Sequence, residues 1–308
     1  MTAKRAFAQP SPFVNWKKHL NRDEMRASVI FTTYNQPRYL ELVLWGYAAQ
    51  TRRDFEVVVA DDGSGPETRD VIDRLRNATG LELRHVWHED RGFRKTEILN
   101  RAILASRGDY LIFSDGDCIP RKDFVDVHLR LAQPGRFLSG GYLKLPERVS
   151  AEVTPEVVRT GRISDLAWLR RHGWRPGRHA LRLLGSEGAA TVLDLVTPTR
   201  ATWNGHNASA FREAVFAVNG FDLDMAYGGL DRAVGERMEN AGIFGKQVRF
   251  RAPVLHLHHK RPYADPAKHR ANHQIRARIR ASGETRAPRG LEQVAAGAGG
   301  ANENQETA

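Results

Sequence analysis

Tyr110-Leu111-Ile112-Phe113-Ser114-Asp115-Gly116-Asp117 is the stretch whose reading decides the fold. Its run of aromatic and branched side chains reads as a buried strand, and two carboxylates close it. Open α/β sheets bind ligands outside the carboxyl ends of their strands. Burying an uncompensated carboxylate costs several kcal/mol, so a buried strand has no structural use for two of them. A divalent cation would supply the missing charge. The alternative is a solvated Asp-Gly-Asp turn.

Two earlier runs repeat the pattern. Phe55-Glu56-Val57-Val58-Val59-Ala60 ends in Asp61-Asp62-Gly63-Ser64, and Ser28-Val29-Ile30-Phe31-Thr32-Thr33 leads into Tyr34-Asn35-Gln36-Pro37. Helix-like segments separate the three. Strands alternating with helices imply an α/β fold with right-handed crossovers. The expected architecture is a mostly parallel central sheet flanked by helices, with all three polar strand ends gathered at one crevice.

With these residues in place, the stretch from Ser28 to about Tyr142 resembles family 2 glycosyltransferases of the GT-A nucleotide-sugar-binding fold. The residues that carry the resemblance are Thr33-Tyr34-Asn35, Asp61-Asp62-Gly63-Ser64, Asn100, and Asp115-Gly116-Asp117 as the DxD motif. A second block, Trp203 to Tyr263, is similar to the C-terminal galactosyltransferase-type region of chondroitin-polymerase-like enzymes. Its matching residues are Asn204-Gly205-His206-Asn207-Ala208, Gly220-Phe221-Asp222, Tyr227-Gly228-Gly229 with Asp231, and the histidines near 256.

Composition narrows the alternatives. In 308 residues, a hydrophobic fraction of 41% is enough for a real core. The single cysteine, Cys118, excludes an intrachain disulfide and a CxxC site. No uninterrupted apolar stretch reaches the roughly 18 residues of a membrane span, and no apolar region follows Met1-Thr2-Ala3-Lys4-Arg5. The expectation is a cytoplasmic protein. A surplus of 47 Lys and Arg over 36 Asp and Glu, net +11, points to phosphates, a polyanion or an acidic membrane surface at the inner face. No nucleic-acid-binding signature accompanies the charge, so nucleic acid is not an expected partner.

The chain divides into a polar lead-in (1–26), a nucleotide-sugar-binding half (27–145), an arginine-rich insert read as two short amphipathic helices and a possible acceptor region (146–202), a second catalytic block (203–263), and a basic tail (264–308). The last 25 or so residues, rich in Gly, Ala and Glu, are expected to be disordered.

Each motif takes a chemical role. A nucleoside diphosphate leaves poorly unless its charge is neutralised, and hard cations such as Mn²⁺ or Mg²⁺ suit carboxylate and phosphate oxygens. At an effective dielectric of about 20, each close unit-charge pair is worth roughly 4 kcal/mol. The resemblance implies that Asp117 ligates the metal, that Asp115 contacts ribose or a metal-bound water, and that His256 or His258, on one face of a strand, completes the site. Asp62 would face the base, with Thr33, Tyr34 and Asn35 lining the same pocket. Arg91 and Arg94, around the start of the next helix, would reach the diphosphate, and Asn100 is a further candidate for binding the nucleotide. Gly63-Ser64-Gly65-Pro66 begins like a dinucleotide fingerprint, but the third glycine is absent.

Asp231 is the candidate base, at the start of a helix carrying Val234, Met238 and Ala241; a plain helix cap is the alternative. In the resembling family an acid usually precedes it, where this chain has Leu230. Trp203 and Asn204, with Gly229, would form a lid and sugar contacts, with a place in the core as the alternative for Trp203. The reading is a metal-dependent, inverting transferase that moves a sugar from a UDP-sugar to a glycan or lipid-linked glycan. A nucleotidyltransferase or a non-catalytic nucleotide- or sugar-binding protein remains the other choice.

Overall fold

The computed structural model describes residues 25–183, 185–259 and 265–303. The expected lead-in up to residue 24, the end of the second block after 259, and residues 304–308 lie outside them. The elements begin β1 (Ala27–Thr33), α1 (Pro37–Ala48), β2 (Phe55–Asp61), α2 (Pro66–Thr79), β3 (Glu82–Trp87), α3 (Lys95–Ala105), β4 (Tyr110–Asp115), β5 (Cys118–Pro120), α4 (Phe124–Leu131) and β6 (Arg136–Lys144). The helical insert holds α5 (Glu147–Ala151), α6 (Pro155–Arg159), α7 (Leu166–Arg171) and α8 (Glu187–Val196), with 3-10 turns at Arg162–Ser164 and Arg178–Leu183. The chain closes with β7 (Asn207–Phe211), α9 (Arg212–Ala217), α10 (Leu230–Asn240), β8 (Phe244–His256), α11 (Pro266–Ser282) and α12 (Leu291–Glu303).

The strands form one eight-stranded sheet in the order β3-β2-β1-β4-β7-β6-β8-β5. Its first half is the parallel sheet expected from the three polar strand ends, with β3 as an added edge strand. The second half makes the sheet mixed. β7 runs antiparallel to both neighbours, β6 and β8 are parallel, and β5 is antiparallel to β8. Because β7 is reversed, Asn207 pairs with Ser114. The segment just before β7 is thereby delivered to the carboxyl end of β4, beside Asp115.

The central strands are apolar without alternation because both faces are covered. Successive side chains point to opposite faces. Val29, Phe31, Val57, Val59, Tyr110 and Ile112 enter the core under α1, α2 and α4. Ile30, Val58, Ala60, Leu111 and Phe113 enter the other, with α3, α9 and α10.

Two expectations are corrected. The insert is not two helices but a series of short pieces, because Pro146, Pro155, Gly161, Gly173, Pro176 and Gly177 interrupt every run. Its Val149, Val158, Ile163, Trp168 and Leu169 are buried in the first core. The expected disorder after Ser282 is replaced by a strapped segment and α12. Ala287 N–H donates to Val218 O at 2.9 Å, and Leu291 N–H to Asn219 O at 3.0 Å. Among the described side chains of this segment, Ala287 and Leu291 are the buried apolar anchors, too few to show as periodicity. Among the described residues, no helix is long and apolar enough to cross a membrane.

The β6–β8 pairing slips in register between Gly140 and Gly141. A Cβ at Gly140 would fall 2.0 Å from Asn207 Oδ1, and the Asn207 amide donates to Gly141 O at 2.8 Å and Ala252 O at 2.6 Å. Gly140→Ala is therefore expected to destabilise the fold by about 1–3 kcal/mol, read as a lower thermal midpoint.

Candidate functional site

The carboxyl ends of β1, β2 and β4 open on a cleft of about 490 Å³. Thr32, Thr33 and Tyr34 enter it from β1, Asp62 from β2, and Asp115, Gly116 and Asp117 from β4. Lys95 reaches it from the first residue of α3, Asp231 from the first turn of α10, and His256 and His259 from the end of β8.

The acids are held by specific partners. Lys95 Nζ donates to Asp115 Oδ1 at 2.7 Å. Burial alone would lower the Lys95 ammonium, but Asp115, Asp231 and Asp117 hold it well above its usual range. His259 Nε2 lies 3.0 Å from Asp117 Oδ2, and His256 Nε2 lies 3.8 Å from Asp117 Oδ1. Burial would raise the Asp117 carboxyl, yet the His259 hydrogen bond and the two imidazole charges bring it below the ordinary carboxylate range.

This donor set fits a divalent cation. His256 Nδ1 sits 2.7 Å from Leu257 O, and a carbonyl only accepts, so Nδ1 carries the proton. In the neutral ring, Nε2 then presents its lone pair toward Asp117. The ligand atoms of Asp117, Cys118 and His256 all lie within 4.8 Å of one another.

Asp231 differs from its neighbours. Its side chain is half-buried at the cleft wall, and its Oδ1 is buried with no hydrogen-bond partner. Burial raises its pKa to about 6, with Lys95 opposing and the Asp115 charge adding to the rise. The backbone of Gly205 passes directly over this carboxylate. A Cβ there would meet Asp231 Oδ1 at 2.5 Å, so only glycine permits the approach. His206 is pushed down to about 4 by burial, so it stays neutral near pH 7. Its ring packs on Tyr142 at 4.6 Å, and Tyr142 packs on His256 at 5.8 Å.

The cleft gathers Thr33, Tyr34, Asp62, Asp115, Asp117, His256 and Asp231 from the sequence-derived set. Thr33 Oγ1 is buried without a partner. The Tyr34 hydroxyl donates to Asp90 Oδ2 at 2.8 Å. Asn35 adopts a positive φ of 49° and joins the β1 and β2 loops, its N–H on Ser64 Oγ and its Oδ1 accepting from Gly65 N–H. Asp62 accepts from His88 at 2.7 Å and from Arg94 N–H at 3.1 Å. Gly229 is the left-handed residue that starts α10.

Other expected contacts lie elsewhere. Arg91 is exposed and pairs with Glu89 at 2.7 Å. The Arg94 side chain is engaged by Glu97 at 3.1 Å and by Glu89 O. Asn100 is buried and clamps Phe221 through both N–H and C=O. Trp203 is enclosed between Phe113 and Phe137, with ring centroids at 5.3 and 5.7 Å, so it offers no free stacking face. Asn204 donates to Ser139 Oγ at 3.1 Å, outside the cleft. β8 ends at His256; beyond it the alternation fails, so His259 rather than His258 stacks on His256 at 5.3 Å. His258 N–H bonds Ser150 Oγ, and its carbonyl accepts from Tyr39. Lys95 and His259 were not singled out from sequence. The one signal for Lys95 is its place at the start of the helix after Arg91 and Arg94.

Residues 28–142 match the family model described as Glycosyl transferase family 2. Validoxylamine A glucosyltransferase of Streptomyces hygroscopicus subsp. jinggangensis (strain 5008) is 31% identical over 238 residues, covering 70% of this chain and 52% of that protein. Chondroitin synthase of Escherichia coli is 23% identical over 241 residues, 72% of this chain and 33% of that one. A mannosyltransferase from Pyrobaculum calidifontis, solved in complex with GDP-Man and Mn²⁺, shares the fold with a TM-score of 0.57. It is 22% identical, and the match covers 92% of this chain and 69% of that chain. Residues 28–142 thus carry a family 2 glycosyltransferase domain, and the fold is the GT-A fold shared with that mannosyltransferase. The chain spans about half or less of the length of these two curated relatives.

The raised Asp231 pKa carries a stability cost. The carboxylate is ionised, and destabilising, above about 6, and the cost vanishes below the ordinary value of 3.8. That gap corresponds to at most about 3 kcal/mol. Asp231→Asn is expected to raise the thermal midpoint at pH 7.5 and to leave it nearly unchanged at about pH 4, measured by calorimetry at both values.

Proposed function

We propose that this protein is a metal-dependent, inverting glycosyltransferase that moves a sugar from a UDP-sugar to a hydroxyl of a glycan or lipid-linked glycan. The observation that carries the reading is the Asp231 carboxylate, with its unpartnered Oδ1, in the same cleft as Asp115 and Asp117. Thr33, Tyr34, Asn35 and Asp62 would receive the nucleoside, with Asp62 accepting from the imide N–H of the base. Asp115, Asp117, His256 and His259 would hold Mn²⁺ or Mg²⁺, which when bound supplies charge neutralisation for the diphosphate.

The remaining chemistry belongs to the chain. Asp231 takes the proton of the acceptor hydroxyl as that oxygen attacks the anomeric carbon. A pKa of about 6 leaves it mostly ionised at neutral pH, yet more basic than an ordinary aspartate. The Lys95 ammonium, bonded to Asp115, adds a fixed positive charge where negative charge develops on the departing diphosphate. Attack from the side opposite the leaving group inverts the anomeric centre and needs no covalent enzyme intermediate. The +11 net charge supports peripheral contact with an acidic inner membrane face when the acceptor is lipid-linked.

A thermal-shift panel with UDP, GDP, CDP and dTDP, each with and without Mn²⁺, tests the donor site. Ligand at about 100 times its Kd adds about 2.7 kcal/mol, several degrees for a chain of this size. A Mn²⁺-dependent response to UDP, lost in Asp117→Ala, is expected. A response to GDP alone would replace the uridine donor, and silence from every nucleotide would overturn the assignment.

Transfer is expected to rise with pH through about 6 as Asp231 ionises. Because Lys95 lowers the Asp231 pKa, Lys95→Met should move this acid limb upward in the pH profile of kcat/KM. Asp231→Asn should cut transfer on the order of 10²–10⁴-fold.

A further inference from the structure

A second cavity, of about 740 Å³, lies against the cleft on the side of α10. Tyr142 and His206 form part of its wall, and Arg232, next in the chain after Asp231, faces into it. Six arginines line it, and its carboxylates are Glu236 and Glu239. Arg276 and Arg280 are bound by Glu236 at 2.7 and 2.8 Å, and Arg200 is bound by Glu239.

The other three arginines have no such partner. Among the described residues, no ion pair joins Arg182, Arg232 or Arg249 to a carboxylate. Arg249 donates to Thr199 Oγ1 at 3.2 Å. Arg182 donates to the Tyr142 carbonyl and lies over the Tyr142 ring at 5.9 Å. Its Nε is buried without a partner. Burial and the Arg249 charge both disfavour the Arg182 cation, and burial and the Arg276 charge outweigh the opposing charges of Asp231 and Glu236 at Arg232. Such crowding costs stability unless an anion lies between the charges.

We infer that this cavity receives the acceptor through a phosphate ester held by Arg182, Arg232 and Arg249, with the acceptor hydroxyl directed at Asp231. Three guanidinium groups from the 3-10 turn at Arg178–Leu183, from α10 and from β8 match the several oxygens and double charge of a phosphate better than a single carboxylate. The cavity has room for a sugar or polyol beyond the phosphate. The assignment rests on the glycosyltransferase reading above. The phosphate can belong to a soluble ester or to a lipid headgroup, and the test separates these sources.

With UDP and Mn²⁺ saturating, glycerol 3-phosphate and uncharged glycerol are titrated in thermal shift. Vesicles with and without phosphatidic acid are tested by co-sedimentation. Wild type is compared with an Arg182→Gln, Arg249→Gln double variant. The expected result is a response to phosphate in solution or on vesicles, absent for glycerol or neutral vesicles. In the double variant the half-maximal concentration should rise about tenfold or more, while the UDP response persists and reports an intact fold. Which arm responds identifies the source. An equal phosphate response in the double variant, or none in either arm, overturns the phosphate site. Loss of the UDP response in wild type would instead sink the donor reading.

Discussion

Three carboxylates, Asp115, Asp117 and Asp231, face one cleft, and their mutual repulsion is the constraint on which the site depends. Each is resolved differently. Asp115 is met by Lys95 and Asp117 by His259 and His256. Asp231 is left with an unpartnered oxygen and yields by holding its proton more tightly. The same low dielectric that makes these charges costly makes their partners effective. Lys95 couples the two ends of the site, since it bonds Asp115 and also lowers Asp231.

Strand direction turns this local problem into an arrangement for two substrates. The parallel half of the sheet brings the ends of β1, β2 and β4 to one edge. The reversed β7 then lays residues 203–206 across that edge, with Gly205 above Asp231. The carboxylate lies between a cleft with acids and histidines and a cavity dominated by arginine. A group at that boundary can touch something bound on either side.

Much of this was legible in the sequence. Continuous apolar runs closed by polar or acidic residues marked β1, β2 and β4, and with them Asp62, Asp115 and Asp117, because both strand character and strand-end position are local properties. The rest depended on packing. Arg91, Arg94 and Lys95 are equivalent as letters; the turn before α3 leaves Arg91 in solvent and directs Lys95 inward. Alternation paired His256 with His258, but the strand stops at His256 and the chain turns, which brings His259 round instead. Trp203 looked like a sugar platform, yet its hydrophobic area is used to join Phe113 and Phe137. The mixed second half of the sheet depends on a reversal at β7 that no local pattern encodes.

The strapped segment after α11 gives the far end of the chain a part in the site. Asn219, held at a φ of 62°, donates its amide to Ala287 O, and its Oδ1 accepts from Glu292 N–H. Leu291 then wedges against Gly220 beside Asn100, within the core that α3 shares. α3 carries Lys95 as its first residue, ahead of Asn100 in the same helix. A strut that looks like dispensable tail thus bears on the lever whose tip sets the charge balance of the cleft. Shortening the gene product at the glycine after α11, as one would to tidy a crystallisation sample, would remove the brace and leave every cleft residue in place.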